Sequence, residues 1–120
     1  MEFNDLVLEA SDILSTVENH QWETGRLADE VVKNYGYKAL EEFSKQIELE
    51  SGVKRSPGTL RMYAYVYRIS NKLGLPKDIL FSGCQSIVFS NDPARYAELA
   101  KNGASGTEIR KAIWRDKNES

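Results

Sequence analysis

"SGVKRSPGTLRMYAYVYRISNKLGLPK", residues 51–77, carries six basic side chains (Lys54, Arg55, Arg61, Arg68, Lys72 and Lys77) and no Asp or Glu. Its small residues set the architecture. Gly52 is placed to end one helix, because glycine adopts the left-handed cap conformation without strain. Ser56 can then cap the orphan amides of a new helix, and Pro57 suits its first position, where the missing N–H costs nothing. A helix over 57–72 follows, stopping before Gly74-Leu75-Pro76. Its apolar residues Leu60, Tyr63, Ala64 and Tyr67 share an inner face. Gly58, Thr59, Arg61, Met62, Tyr65, Arg68 and Lys72 are left to the outside or the flanks.

Helical spacing continues on both sides of this stretch. Phe3, Leu6, Val7, Ala10, Ile13, Leu14 and Val17 recur at three and four residues and predict an amphipathic helix. A second stripe, Trp22, Leu27, Ala28, Val31, Val32 and Tyr35, predicts a helix that begins near Asn19 or His20 and stops at Gly36. Leu40, Phe43 and Ile47 mark a third over 38–50, strongly charged on its outer side. Residues 77–90 supply apolar bulk (Ile79, Leu80, Phe81, Ile87, Val88, Phe89) for a short helix or turn pair. Asp92-Pro93 repeats the cap-then-proline start, with Gly103 as its terminator. Ser105 and Glu108 form a capping box for a last helix, 106–115. No strand-like alternation persists, so the fold class is all-α. One domain is expected over 1–116, with 117–120 a frayed tail and 1–18 a candidate dimerisation helix or, equally, a helix packed on its own core.

Net charge is only −2, yet it is unevenly spread. Residues 1–51 hold twelve acids against four bases, 52–77 six bases and no acid, 78–92 two acids, and 93–120 six bases against four acids. Segregation on this scale suits a polyanion-binding surface on an otherwise acidic chain, or a basic helix face paired with acidic segments. Hydrophobic residues at 41% with 28% charged belong to a globular protein rather than a disordered or membrane one. Apolar runs are too short to span a bilayer and no secretory pattern opens the chain, so a cytoplasmic, nucleoid-associated protein without a membrane partner is expected.

Two helix-turn-helix arrangements can be written. One joins 38–50 to 57–72 through Gly52–Arg55; the other joins 93–102 to 106–115 through Gly103-Ala104, with Leu99 and Ala100 packing its first helix and Ile109 and Ile113 its second. Affinity for nucleic acid comes largely from neutralised phosphates, which favours the carboxylate-free first arrangement. Its expected DNA contacts are Lys54, Arg55, Ser56, Gly58, Thr59, Arg61, Tyr65, Arg68 and Lys72, with Arg61 and Tyr65 one turn apart and able to reach base edges or sugar–phosphate. The second arrangement offers Ser105, Thr107, Arg110 and Lys111 as a further contact, mixed with Glu108 and Asp116.

Enzymatic chemistry finds little footing. His20 is the only histidine and Cys84 the only cysteine, so neither a zinc set nor a disulfide can be assembled, and no metal or cofactor is expected. Cys84 lies in "FSGCQSIVF" and reads as a core thiol; His20 reads as a surface or capping residue. The carboxylates of residues 1–50 fall on positions expected to be exposed, and Trp22 and Trp114 read as core or interface residues. No phosphate-binding glycine loop is present.

Several short patterns are similar to known proteins. "W-x-x-G-R-L" (Trp22, Gly25, Arg26, Leu27), "YG" (35–36), "L-x-x-x-S" (Leu40, Ser44), "S-x-x-T-L-R-x-Y" (Ser56, Thr59, Leu60, Arg61, Tyr63) and "A-x-x-G-x-S-x-x-E-I-R" (Ala100, Gly103, Ser105, Glu108, Ile109, Arg110) run across residues 20–115. Together they resemble the helical N-terminal domain that precedes a PD-(D/E)XK nuclease-like domain in a bacterial family. They are also similar to helix-turn-helix proteins of phages and plasmids and, more remotely, to the DNA-binding domains of ParB-like partition proteins. The resemblance implies an all-α DNA-binding module without nuclease chemistry, for which 120 residues leave no room. The expectation is a sequence-specific double-stranded DNA-binding protein, a regulator or partition-type factor of a mobile element, acting as a homodimer. The alternative is an adaptor whose basic helix docks an acidic partner.

Overall fold

The computed structural model describes residues 2–16, 21–76, 79 and 81–119, without the side chains of 11–16 and 119. These residues form an all-α fold of seven helices: α1 (Phe3–Thr16), α2 (Gln21–Tyr35), α3 (Ala39–Ser51), α4 (Pro57–Leu73), α5 (Phe81–Val88), α6 (Pro93–Lys101) and α7 (Gly106–Glu119). The expected start of α2 near residues 19 and 20, the role of His20, and the side chains of Ile13, Leu14, Val17, Lys77 and Leu80 lie outside the described residues. The backbone contacts divide the chain into two compact units, Met1–Arg68 and Ile69–Ser120. Residues 57–68 of α4 belong to the first and 69–73 to the second.

In the first unit, the stripes predicted from spacing become one core. Leu6, Val7 and Ala10 of α1 meet Leu27, Ala28 and Val31 of α2, Leu40, Phe43 and Ile47 of α3, and Leu60 and Ala64 of α4, with Phe3, Val32, Ala39 and Val53 at its edge. The described part of the α1 stripe therefore packs on its own unit, which is the alternative to its use in dimerisation. Arg26 on α2 reaches Glu9 on α1 at 2.8 Å and Glu23 at 3.1 Å.

Gly25 fixes how closely α2 and α4 approach. A Cβ built there would lie 2.6 Å from the Tyr63 carbonyl oxygen, so only glycine allows this spacing. Four residues along α2, on the same face, Asp29 is buried at 2% exposure. That corrects the expectation that the acids of residues 1–50 are all exposed: the close approach at Gly25 draws the next turn of α2 under α4.

The second unit buries Ile79, Phe81, Cys84, Ile87, Val88, Tyr96, Ala97, Ala100 and Ile109. The Tyr96 hydroxyl donates to Asp116 at 2.6 Å and ties α6 to α7, with Arg95 at 3.2 Å from the same carboxylate. That hydrogen bond, which stabilises the protonated phenol, holds Tyr96 above the usual tyrosine range. Leu99, expected to pack α6, is 36% exposed, because the buried side of α6 runs through Tyr96, Ala97 and Ala100 instead. Burial pushes the Cys84 thiol up to about 11, with the Ser70 hydroxyl pulling the other way. α7 continues to Glu119, past residue 117 where a tail was expected, and the Asn118 amide donates to the Trp114 carbonyl at 2.7 Å in that added turn.

Candidate nucleic-acid interface

The segment between α3 and α4 is pinned at both ends. Gly52, at φ +74°, donates its N–H to the Glu48 carbonyl at 2.8 Å and ends α3 as anticipated. The Ser51 hydroxyl donates to the Ile47 carbonyl at 2.7 Å and accepts from the Val53 N–H at 3.0 Å. From inside α3 the buried Ser44 donates its hydroxyl to the Arg55 carbonyl. Ser56 then caps α4: its hydroxyl accepts from the Thr59 N–H at 3.1 Å and lies 3.0 Å from the Thr59 hydroxyl. A turn held this way presents the Lys54 and Arg55 side chains without first having to be ordered.

Positions 58, 61, 65, 68 and 72 follow one another at three and four residues and so share a face of α4. Gly58 is exposed, and a Cβ there would meet nothing closer than the Ser56 hydroxyl at 3.9 Å. Nothing in the fold therefore requires glycine at this position. Arg61 is exposed, and its guanidinium lies 4.6 Å from the centroid of the Tyr37 ring. Stacking on an aromatic face occupies the flat side of a guanidinium and leaves the N–H edge able to form a bidentate contact. Lys54 is exposed and Arg55 half-buried, its Nη1 on the Lys54 carbonyl at 3.0 Å. Tyr65 is 38% exposed.

Arg68 departs from the picture of a free phosphate contact. Its Nη1 lies 3.8 Å from Asp29 Oδ1, and its guanidinium 5.6 Å from the Tyr65 ring centroid. Lys33 approaches the other oxygen of Asp29 at 3.2 Å from within α2. A carboxylate removed from water demands such partners. Arg68 is thus tied to the packing of α2 and α4 as well as to the outer face. Lys72 is exposed in the part of α4 that belongs to the second unit.

The second helix pair is closed by Asn102–Ser105, with Gly103 at φ +96°. Its capping box forms as expected: the Glu108 N–H donates to the Ser105 hydroxyl at 3.1 Å, and Glu108 accepts from the Ser105 N–H at 3.4 Å. Thr107, Arg110 and Lys111 are exposed on α7. Trp114 is 68% exposed, which removes the core alternative for it and leaves that of an interface residue. The stripe on that side of α7 faces away from Ile109, which is fully buried.

Tyr37, Asp29 and Trp114 are the residues that spacing alone missed. Asp29 had a usable signal, four residues from a mid-helix glycine, a pairing that marks the face where another backbone comes close. Among the described residues no group of three or more His, Cys, Asp or Glu is placed to hold a metal ion, and no helix is long and apolar enough to cross a membrane. No family model, curated protein or solved structure matches the chain.

Proposed function

We propose that the first unit binds double-stranded DNA, with α3 and α4 acting as a helix-turn-helix and the N-terminal half of α4 entering the major groove. One observation supports this reading above the others: a pinned turn and an exposed helix face carry Lys54, Arg55 and Arg61 with no carboxylate between residues 51 and 77. Lys54, Arg55 and the first turn of α4, from Ser56 through Gly58 and Thr59, take phosphates, the open surface at Gly58 letting a phosphate oxygen approach the backbone. Arg61, held over Tyr37, reads a base edge, guanine O6 and N7 being the pair that suits its fork. Tyr65 meets sugar–phosphate. Arg68 positions α4 through Asp29. Two chains on a two-fold site are the expected stoichiometry, as for other helix-turn-helix proteins, and the role is that of a sequence-specific regulator or partition-type factor.

Selection of bound duplexes from a random pool tests this reading. The expected result is an enriched site in which Arg61→Ala relaxes one base position and leaves the others intact. A pool that stays random through successive rounds would refute sequence-specific binding, and enrichment that Arg61→Ala leaves unaltered would remove Arg61 from its assigned role.

A further inference from the structure

The exposed stripe of α7 lies in the second unit and is not used by the duplex contacts assigned above. Thr107, Arg110, Lys111, Trp114 and Arg115 fall at intervals of three and four and line one open groove. Its surface is almost wholly apolar, although three of these side chains, Arg110, Lys111 and Arg115, are cationic. Two carboxylates of this helix, Glu108 and Asp116, have partners of their own. Glu108 turns back to the Ser105 N–H, and Asp116 faces Tyr96 and Arg95, while Arg115 Nε also lies 3.8 Å from it.

An exposed tryptophan flanked by cations needs a ligand with two properties at once: a flat apolar face for the indole and anionic links about one helical turn apart. Unpaired nucleotides have both, since any base can stack on an aromatic ring while its phosphates meet Arg and Lys. A string of carboxylates would satisfy the charges and leave the indole in water. A duplex keeps its bases stacked inside and offers the indole no face. We infer that this face of α7 binds single-stranded nucleic acid, with Trp114 as the stacking platform and Arg110, Lys111 and Arg115 as phosphate contacts.

The full chain carrying Trp22→Phe leaves Trp114 as its only tryptophan, so its emission can be followed while oligo(dT) is added at low salt. The expected result is saturable quenching, with labelled oligo(dT) held about tenfold less tightly by Trp114→Ala and near wild-type by Trp114→Phe. Arg110→Gln combined with Lys111→Gln should make the salt dependence shallower by roughly 1.4 in the log–log slope. Trp114, Arg110 and Lys111 are exposed and Trp22 is half-buried against Tyr67, and circular dichroism confirms that each variant is folded. Absence of quenching overturns the inference. So does Trp114→Leu binding as well as Trp114→Phe, quenching by poly-glutamate equal to that by oligo(dT), or a response to anionic phospholipid vesicles without one to oligo(dT). Duplex binding measured on the same samples separates this from the first unit's role: duplex binding without Trp114 quenching sinks only the present inference, and the reverse sinks only the helix-turn-helix reading.

Discussion

Replacing Arg68 with alanine should destabilise the protein, and the loss should depend on Asp29. At an N–O distance of 3.8 Å, full charges attract by about 4 kcal/mol at an effective dielectric constant near 20. The Arg68 side chain is 38% exposed, so regained hydration offsets much of that, and Lys33 at 3.2 Å still serves the other carboxylate oxygen. The remainder is about 1–2 kcal/mol, below the range for wholly buried pairs because one partner remains wet. For a chain of this size that corresponds to a fall in Tm of about 5–10 °C. The assay is thermal unfolding followed by far-ultraviolet circular dichroism on four proteins: wild type, Arg68→Ala, Asp29→Asn and the double variant. In the Asp29→Asn background, Arg68→Ala should cost under about 0.5 kcal/mol, since no buried charge is then abandoned. Equal costs in both backgrounds would refute the coupling. A duplex-binding defect in Arg68→Ala must therefore be read beside its stability.

Three further outcomes are expected. Gly25→Ala should lower stability by about 1 kcal/mol even though alanine is the better helix former, because its Cβ would press on the Tyr63 carbonyl and overpacking outweighs propensity; a higher Tm for this variant would contradict the close approach of α2 and α4. Gly58→Ala should raise stability by about 0.5 kcal/mol while weakening duplex binding, opposite signs that a purely structural glycine would not give. The buried Cys84 thiol, pushed up to about 11 from an ordinary 9.0, should resist an aromatic disulfide reagent at pH 8 until urea unfolds the chain. As the folded thiol is the weaker acid, its contribution to stability is full below pH 9 and is lost progressively between about 9 and 11; rapid labelling of the native protein would show that the thiol is accessible.

The helices and caps were legible because each rests on local chemistry. Gly52, Ser56-Pro57, Asp92-Pro93 and Ser105 with Glu108 all act within four residues of themselves, and the structure places the caps where the sequence pattern does. The cores followed from periodicity, as at Leu40, Phe43 and Ile47. What spacing could not reveal was which helix a side chain meets. Asp29 looks like one more surface acid until Gly25 brings α4 across it. Arg68 looks like a phosphate contact until Asp29 is found beneath it, and Tyr37 has no role until Arg61 arrives from the second turn of α4. The sequence leaves Trp114 between core and interface, and its place on the side of α7 opposite Ile109 excludes the core. The charge pattern of residues 51–77 does not depend on such pairings, since it is a sum over a turn and a helix.

The central claim is tested most directly by duplex affinity as a function of salt, measured on wild type and on Lys54→Gln. Lys54 is exposed and its side chain enters no ion pair among the described residues, so the substitution removes a charge and little else. A phosphate-binding turn predicts a linear fall of log affinity with log salt in the wild type, and a slope shallower by about 0.9 in the variant, with the same loss on every duplex tested. No duplex binding at low salt, or identical slopes for the two proteins, would contradict the assignment of this turn and helix to DNA.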